Sequence, residues 1–184
     1  RNVSLLLGLT VSAVCHGAEP SLPIFTDVTE QAGLDAKHGF GDDQLSNIVE
    51  GTGSGAMFFD YNGDGWMDIY LPNGAWHEDV SDTRGRKYRG QLKNRLFRNN
   101  RDGTFTDVTD EAGVGDMGFG FGVSAADYDS DGDVDLYVLN YGPNVLYRNN
   151  GDGTFTDDTR TSGLHNALWS LAGTWFDFNG DGRL

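Results

Sequence analysis

The chain repeats itself, and the repeat limits its fold more than any other feature. NRLFRNNRDGTFTDVTDEAGV at 94–114 is matched by NVLYRNNGDGTFTDDTRTSGL at 144–164, an offset of 50 residues. Ahead of each copy lies an acidic stretch, DYNGDGWMD at 60–68 and DYDSDGDVD at 127–135. A third stretch begins as DFNGDGRL at 177–184, again 50 residues after the second. Self-similarity at a period of this size points to solenoids, propellers and related arrays, in which one supersecondary unit stacks on copies of itself. The first two acidic stretches are 67 residues apart, and the excess of 17 falls between Asp68 and Asn94. The first unit therefore carries an insertion at about 75–91, AWHEDVSDTRGRKYRGQ. A further copy of the tail, FTDVTEQAGL, stands alone at 25–34 with no partner strand before it, so the repeat is circularly offset.

Within a unit the strand signals are plain. SGAMFFD and VSAADYD enter the acidic stretches, and MDIYLPN and VDLYVLN leave them. NRLFRNN and NVLYRNN follow, and TFTDVT and TFTDDT close the unit. Each run is short, rich in β-branched and aromatic residues, and bounded by Gly, Asn or Asp. Between the third and fourth runs, NRDGT and NGDGT supply the Asp-Gly step of a tight hairpin. Four antiparallel strands in about 50 residues, repeated, predict an all-β chain built of β-propeller blades. The 27 glycines against 4 prolines suit that many tight turns. The blades fall at about 50–114, 115–164 and 165–184, the last incomplete, so the expectation is a partial propeller belonging to a longer protein. The orphan strand at 23–29 would complete the last blade of a closed ring and remove a bare edge. The glycines of GTGSGA at 51–56 and GFGFG at 118–122 superficially resemble a dinucleotide fingerprint. Each runs into a strand and an acidic loop rather than a helix, which assigns them to crowded inner strands instead.

Counting the first Asp of each acidic stretch as position 1, side-chain oxygens fall at positions 1, 3, 5 and 9. They belong to Asp60, Asn62, Asp64 and Asp68, then to Asp127, Asp129, Asp131 and Asp135; Asp177, Asn179 and Asp181 open the third set. Position 6 is Gly65, Gly132 and Gly182, the sharp turn that wraps backbone around an ion and turns the position 7 carbonyl inward, here that of Trp66, Asp133 and Arg183. These are hard oxygen donors at calcium spacing, and no Cys or His lies in any copy to favour a softer metal. Carboxylates about 5 Å apart repel by roughly 3 kcal/mol per pair at an effective dielectric near 20, a penalty that a bound cation removes. An EF-hand would need Glu at position 12 and flanking helices. Position 12 is Leu71 or Val138, and the flanks alternate as strands. Helix-flanked dockerin-like loops and cysteine-dependent thrombospondin-type repeats fail on the same flanks and on the cysteine count.

The first residues, RNVSLLLGLTVSAVCHGAEP, have one basic residue, an apolar run from Val3 to Cys15 and then small residues. This is the shape of a secretory signal ending near Ala18 and too short to span a bilayer. Cys15 is the sole cysteine and lies within it, so the chain beyond has no disulfide to hold it together. The formal charge of −15 argues against a nucleic-acid partner, which needs clustered Lys and Arg, and makes metal cations the natural counterions.

Taken together, LYRNNGDGTFTDDT and the Asp loop after it resemble the FG-GAP calcium loops of integrin-type β-propellers. The match is to the secreted FG-GAP/VCBS repeat proteins, in particular the ASPIC/UnbV group that includes cartilage acidic proteins. The resemblance spans about residues 22–184. It implies a seven-bladed propeller with Ca2+ held in the loop joining the first two strands of a blade.

Catalytic constellations are thin. His16, His38, His77 and His165 are scattered, and no G-x-S-x-G elbow is present. The expectation is a secreted, calcium-stabilised, non-enzymatic binding or adhesion module for a protein or carbohydrate ligand. A carbohydrate-active lyase or hydrolase with structural calcium, using Glu50 or an acid of the insertion, remains the alternative. The insertion, with Arg84, Arg86, Lys87 and Arg89, is a basic spot in an acidic chain and either solvated surface or a partner-binding loop. Trp66 and Trp76 are candidates for a carbohydrate-stacking platform, and Trp169 and Trp175 for packing between blades.

Overall fold

All eight strand-like runs of the two complete units become strands, each hydrogen-bonded to its neighbour in sequence order. The computed structural model describes residues 24–39, 45, 47–52, 54–81 and 85–184. In the first unit β1 (Met57–Phe59), β2 (Asp68–Leu71), β3 (Arg95–Asn99) and β4 (Phe105–Asp107) form one antiparallel sheet in sequence order. In the second, β5 (Phe119–Ala126), β6 (Asp135–Tyr141), β7 (Val145–Asn149) and β8 (Phe155–Asp157) form another. Equivalent residues pair in equivalent register: Phe97 faces Asp107 as Tyr147 faces Asp157. Two such sheets fit a partial propeller. No helix among the described residues is long and apolar enough to cross a membrane.

One apolar core joins the two units. Tyr70, Leu96 and Val114 of the first are fully buried together with Leu136 and Val138 of the second. Each large side chain so buried contributes about 1.5–3 kcal/mol. The phenol of Tyr70 stays satisfied by donating to the carbonyl of Val114 at 2.9 Å. Along the innermost strands the units touch backbone to backbone: Gly55 N–H donates to Phe121 O at 2.7 Å and Gly120 N–H to Asn73 O at 2.9 Å. The assignment of the GFGFG glycines to crowded inner strands agrees with these contacts. A Cβ on Gly120 would lie 3.0 Å from Pro72, and one on Gly122 only 2.5 Å from the carbonyl of Leu171.

The tail copies share a turn that strand patterning does not reveal. Asp107 accepts the backbone N–H of Thr109 at 3.0 Å and opens a one-turn helix, α1 (Thr109–Ala112). Asp157 does the same for Thr159 and Asp27 for Thr29, both at 3.0 Å. The three turns close alike, with Ala32, Ala112 and Ser162 donating to the carbonyls of Val28, Val108 and Asp158. The turn at 29–33 packs on β4, its Gly33 set against the carbonyl of Phe105, as Gly113 after α1 is set against that of Phe155 in β8.

The orphan strand and the segment ahead of the third loop take another form. Residues 24–28 join no ladder, and Ile24 and Phe25 are 89% and 95% exposed. Residues 171–176, ahead of the third loop, pair with no strand either. The partner of β1 and of β5 is the strand following the loop, and no equivalent is present in the third unit. The segment still packs by side chains. Trp169 lies against Phe121 and Tyr141, and Trp175 against Tyr128 and Tyr137, with ring centroids 5.5 to 6.3 Å apart. Packing between units is therefore what these two tryptophans do. The proposed signal at 1–18, Cys15, and residue 23 of the orphan strand lie outside the described residues, as do residues 82–84 of the insertion.

Candidate metal centre

Each acidic loop builds its cage from its own backbone. The position 1 carboxylate accepts the N–H groups of positions 5 and 6, and in the third loop those of positions 3 and 4 as well. Asp60 takes those of Asp64 (3.1 Å) and Gly65 (2.7 Å), Asp127 those of Asp131 and Gly132 (both 3.0 Å), and Asp177 those of Asp181 (3.2 Å) and Gly182 (2.7 Å). The position 5 carboxylate then accepts the position 7 N–H, at 2.9 Å in all three: Asp64 from Trp66, Asp131 from Asp133 and Asp181 from Arg183. Asn62 and Asn179 accept the N–H of Asp64 and Asp181, both at 3.1 Å. The wrap requires left-handed backbone at position 4 as well as at position 6, and position 4 is Gly63, Ser130 and Gly180, with φ of +67°, +64° and +74°. Ser130 is the telling residue, since a non-glycine adopts this region only when its surroundings impose it.

Position 9 is tied down from two sides. Asp135 is 1% exposed; it accepts the N–H of Tyr128 in the loop at 2.9 Å and that of Asn149 in β7 at 2.8 Å. Asp68 repeats this with Tyr61 at 3.2 Å and Asn99 in β3 at 2.7 Å. These residues are struts between loop and sheet as well as candidate donors, and the signal for that lay in the paired Asn of RNN. Asn149 goes further: its amide donates to Val134 O at 3.1 Å within the unit and to Tyr61 O at 2.7 Å in the preceding one.

Asp127, Asp129 and Asp135 each bring a carboxylate oxygen within 4.8 Å of the others, the only such group of metal-ligating side chains among the described residues. Burial, together with the charges of Asp129 and Asp131, pushes the Asp135 carboxyl up to about 6 against the hydrogen bonds that favour its ionised form. Burial likewise raises Asp68 and Asp129. Hard, mutually repelling oxygens on a rigid cage suit a divalent cation. In the first loop the donors are thinned. Position 3 is Asn62, and Asp64 is held by Arg101, whose hydrogen bond lowers its carboxyl below the usual range. The third loop reproduces the wrap at positions 1 to 7, with Asp177 lowered chiefly by its hydrogen bond from Gly182.

FG-GAP-like repeat models match residues 80–138 and 127–184, together more than half of the chain. The chain belongs to the FG-GAP repeat proteins. A search of curated proteins returns no match. In this FG-GAP repeat protein the two matches overlap on the second acidic loop, the one whose carboxylates cluster.

The other sequence candidates scatter. Trp66, 47% exposed, precedes β2 and Trp76 follows it. The Trp76 face is approached by Arg86 and Arg89, with Cζ 6.0 and 5.6 Å from the ring centroid. Glu50 is buried in a short 3-10 turn. His38 Nε2 sits 2.7 Å from Ser54 Oγ, and no carboxylate among the described residues orients that ring.

Proposed function

We propose that this FG-GAP repeat protein is a secreted, calcium-stabilised propeller module of the ASPIC/UnbV kind. It acts without catalysis, as a binding or adhesion surface for a protein or carbohydrate ligand. The observation that carries the reading is the common cage: three loops fold equivalent oxygen donors around the same point, and in one of them three carboxylates stand within 4.8 Å of one another. Calcium is the chosen cation because the donors are oxygen only and the loop is secured by backbone rather than by soft ligands. With each ion in place, the loop joining the first two strands becomes rigid and the sheet ends are presented in a fixed array. Ring closure through the N-terminal segment, in a propeller of seven blades, is supported by the turn at 29–33, which meets β4 as α1 meets β8.

The test is calorimetric. Calcium added to the chelator-treated chain should bind with dissociation constants of about 10⁻⁴ to 10⁻³ M, the range of extracellular modules, and raise the thermal midpoint. A melting curve indifferent to calcium and EDTA removes the cation from the reading. Screening the calcium-loaded chain on glycan and extracellular-protein arrays addresses the ligand, and turnover of any bound glycan into shorter products would replace adhesion with catalysis.

A further inference from the structure

The two complete acidic loops differ in a contact that comes from outside them. In the first unit the β3–β4 hairpin carries Arg101, whose guanidinium Nη2 lies 2.9 Å from Oδ2 of Asp64, the position 5 donor. Arg101 holds φ of +67°, a conformation costly for a side chain of its size, whereas the matching residue of the second unit is Gly151 at φ +72°. Beside Gly151, Asp133 Oδ2 takes that space, 2.6 Å from where a Cβ would stand. No ion pair among the described residues reaches Asp131, the position 5 donor there. The second loop thus offers five aspartates, and the first offers three with Asn62 and a cation already seated on one of them.

We propose that Arg101 is a tethered cation that competes with calcium for Asp64, so that the two loops form a graded pair in which the second fills before the first. This rests on the calcium reading above and adds a regulation to it. The guanidinium keeps its charge at every accessible pH, so near neutrality an incoming ion or screening by salt is what displaces it. The arginine has somewhere to go. Its side chain is 54% exposed and borders an open cleft of about 610 Å³ between the two hairpins. An exposed ion pair corresponds to about two- to fivefold in an equilibrium constant, which sets the expected grading from Arg101 alone, and Asn62 in place of an aspartate acts in the same direction.

Terbium, a hard cation read by sensitised emission, separates the sites. Trp66 at position 7 reports the first loop; Trp175, 6.3 Å from Tyr128 and two residues ahead of Asp177, reports the second and third loops together, and Asp131→Ala separates those two. Trp66→Phe assigns the first-loop phase. Titrations of terbium and, by calorimetry, of calcium into the whole chain should give a Trp66-dependent phase that is weaker than the Asp131-dependent one. Arg101→Gly, which also relieves the left-handed backbone, and Arg101→Gln, which keeps the length, should both tighten that phase about two- to fivefold and leave the other unchanged. Gly151→Arg should weaken the second phase. If both ions bind and the Trp66-dependent phase is the same in wild type, Arg101→Gly and Arg101→Gln, or is the tighter phase in wild type, the tethered cation is refuted while calcium binding stands. A wild-type chain that takes up neither ion overturns both.

Discussion

Replacing Asp135 by Asn tests whether the buried position 9 carboxylate is a strut, a cation donor, or both. Its oxygens accept N–H groups from Tyr128 and Asn149, and it lies within 4.8 Å of the carboxylates of Asp127 and Asp129. At that separation two unit charges repel by about 3.5 kcal/mol at an effective dielectric near 20, and water around the exposed Asp129 reduces its share. Asn removes two of the three repelling pairs but turns one acceptor into a donor facing a backbone N–H, a loss of about 1–3 kcal/mol. In chelator the two effects oppose, and Asp135→Asn is expected to be no less stable than wild type. In calcium they do not. At about 10 mM calcium a site of 10⁻⁴ to 10⁻³ M stabilises the folded chain by about 1.4–2.7 kcal/mol, and the variant forfeits this at the second loop. Urea melts of both proteins, with calcium and with EDTA, measure the four stabilities. The reasoning fails if Asp135→Asn keeps the full calcium increment, or if it loses more than about 3 kcal/mol in EDTA, which would make the residue a strut alone.

Further outcomes follow from the same geometry. Because the folded-state pKa of Asp135 is raised to about 6 from 3.8, the ion-free protein binds its extra proton there; the contribution of Asp135 to stability in EDTA should be lost as pH rises from about 4 to 6, read as the difference between the pH-dependent melts of wild type and Asp135→Asn. Asn149→Ala, which breaks the amide link to Tyr61 in the neighbouring unit, should cost about 2–3 kcal/mol and speed hydrogen exchange in both units. Asn99→Ala, whose amide reaches only Met67 O in its own unit, should cost less. Gly122→Ala, whose methyl would meet the Leu171 carbonyl at 2.5 Å, should release residues 165–176 to proteolysis, while Gly51→Ala, with open space around it, should leave the digestion pattern unchanged.

Much of this protein was legible because its decisive hydrogen bonds are local. An aspartate that accepts N–H groups four and five residues ahead, with left-handed backbone between, is a property of spacing, so the three loops could be read as one cage before any contact was known. The eight strands were legible for a similar reason: each unit is a run of neighbours in sequence order, and alternation within short apolar segments marks every member. Spacing also carried the Asp-x-Thr turn of the tail copies, although strand patterning alone passed over it.

What the tertiary structure decided lies between segments with no periodic relation. Only packing of the hairpin on the loop puts Arg101 on Asp64, and only stacking of one sheet on the next carries the Asn149 amide to Tyr61, 88 residues away. Residues 24–28 and 171–176 have the composition of strands but not the state, since a strand's backbone groups must be satisfied by a second strand and composition supplies only the side chains. Local spacing shaped the donors of each loop; the approach of other segments determined how much charge each loop holds free for a cation.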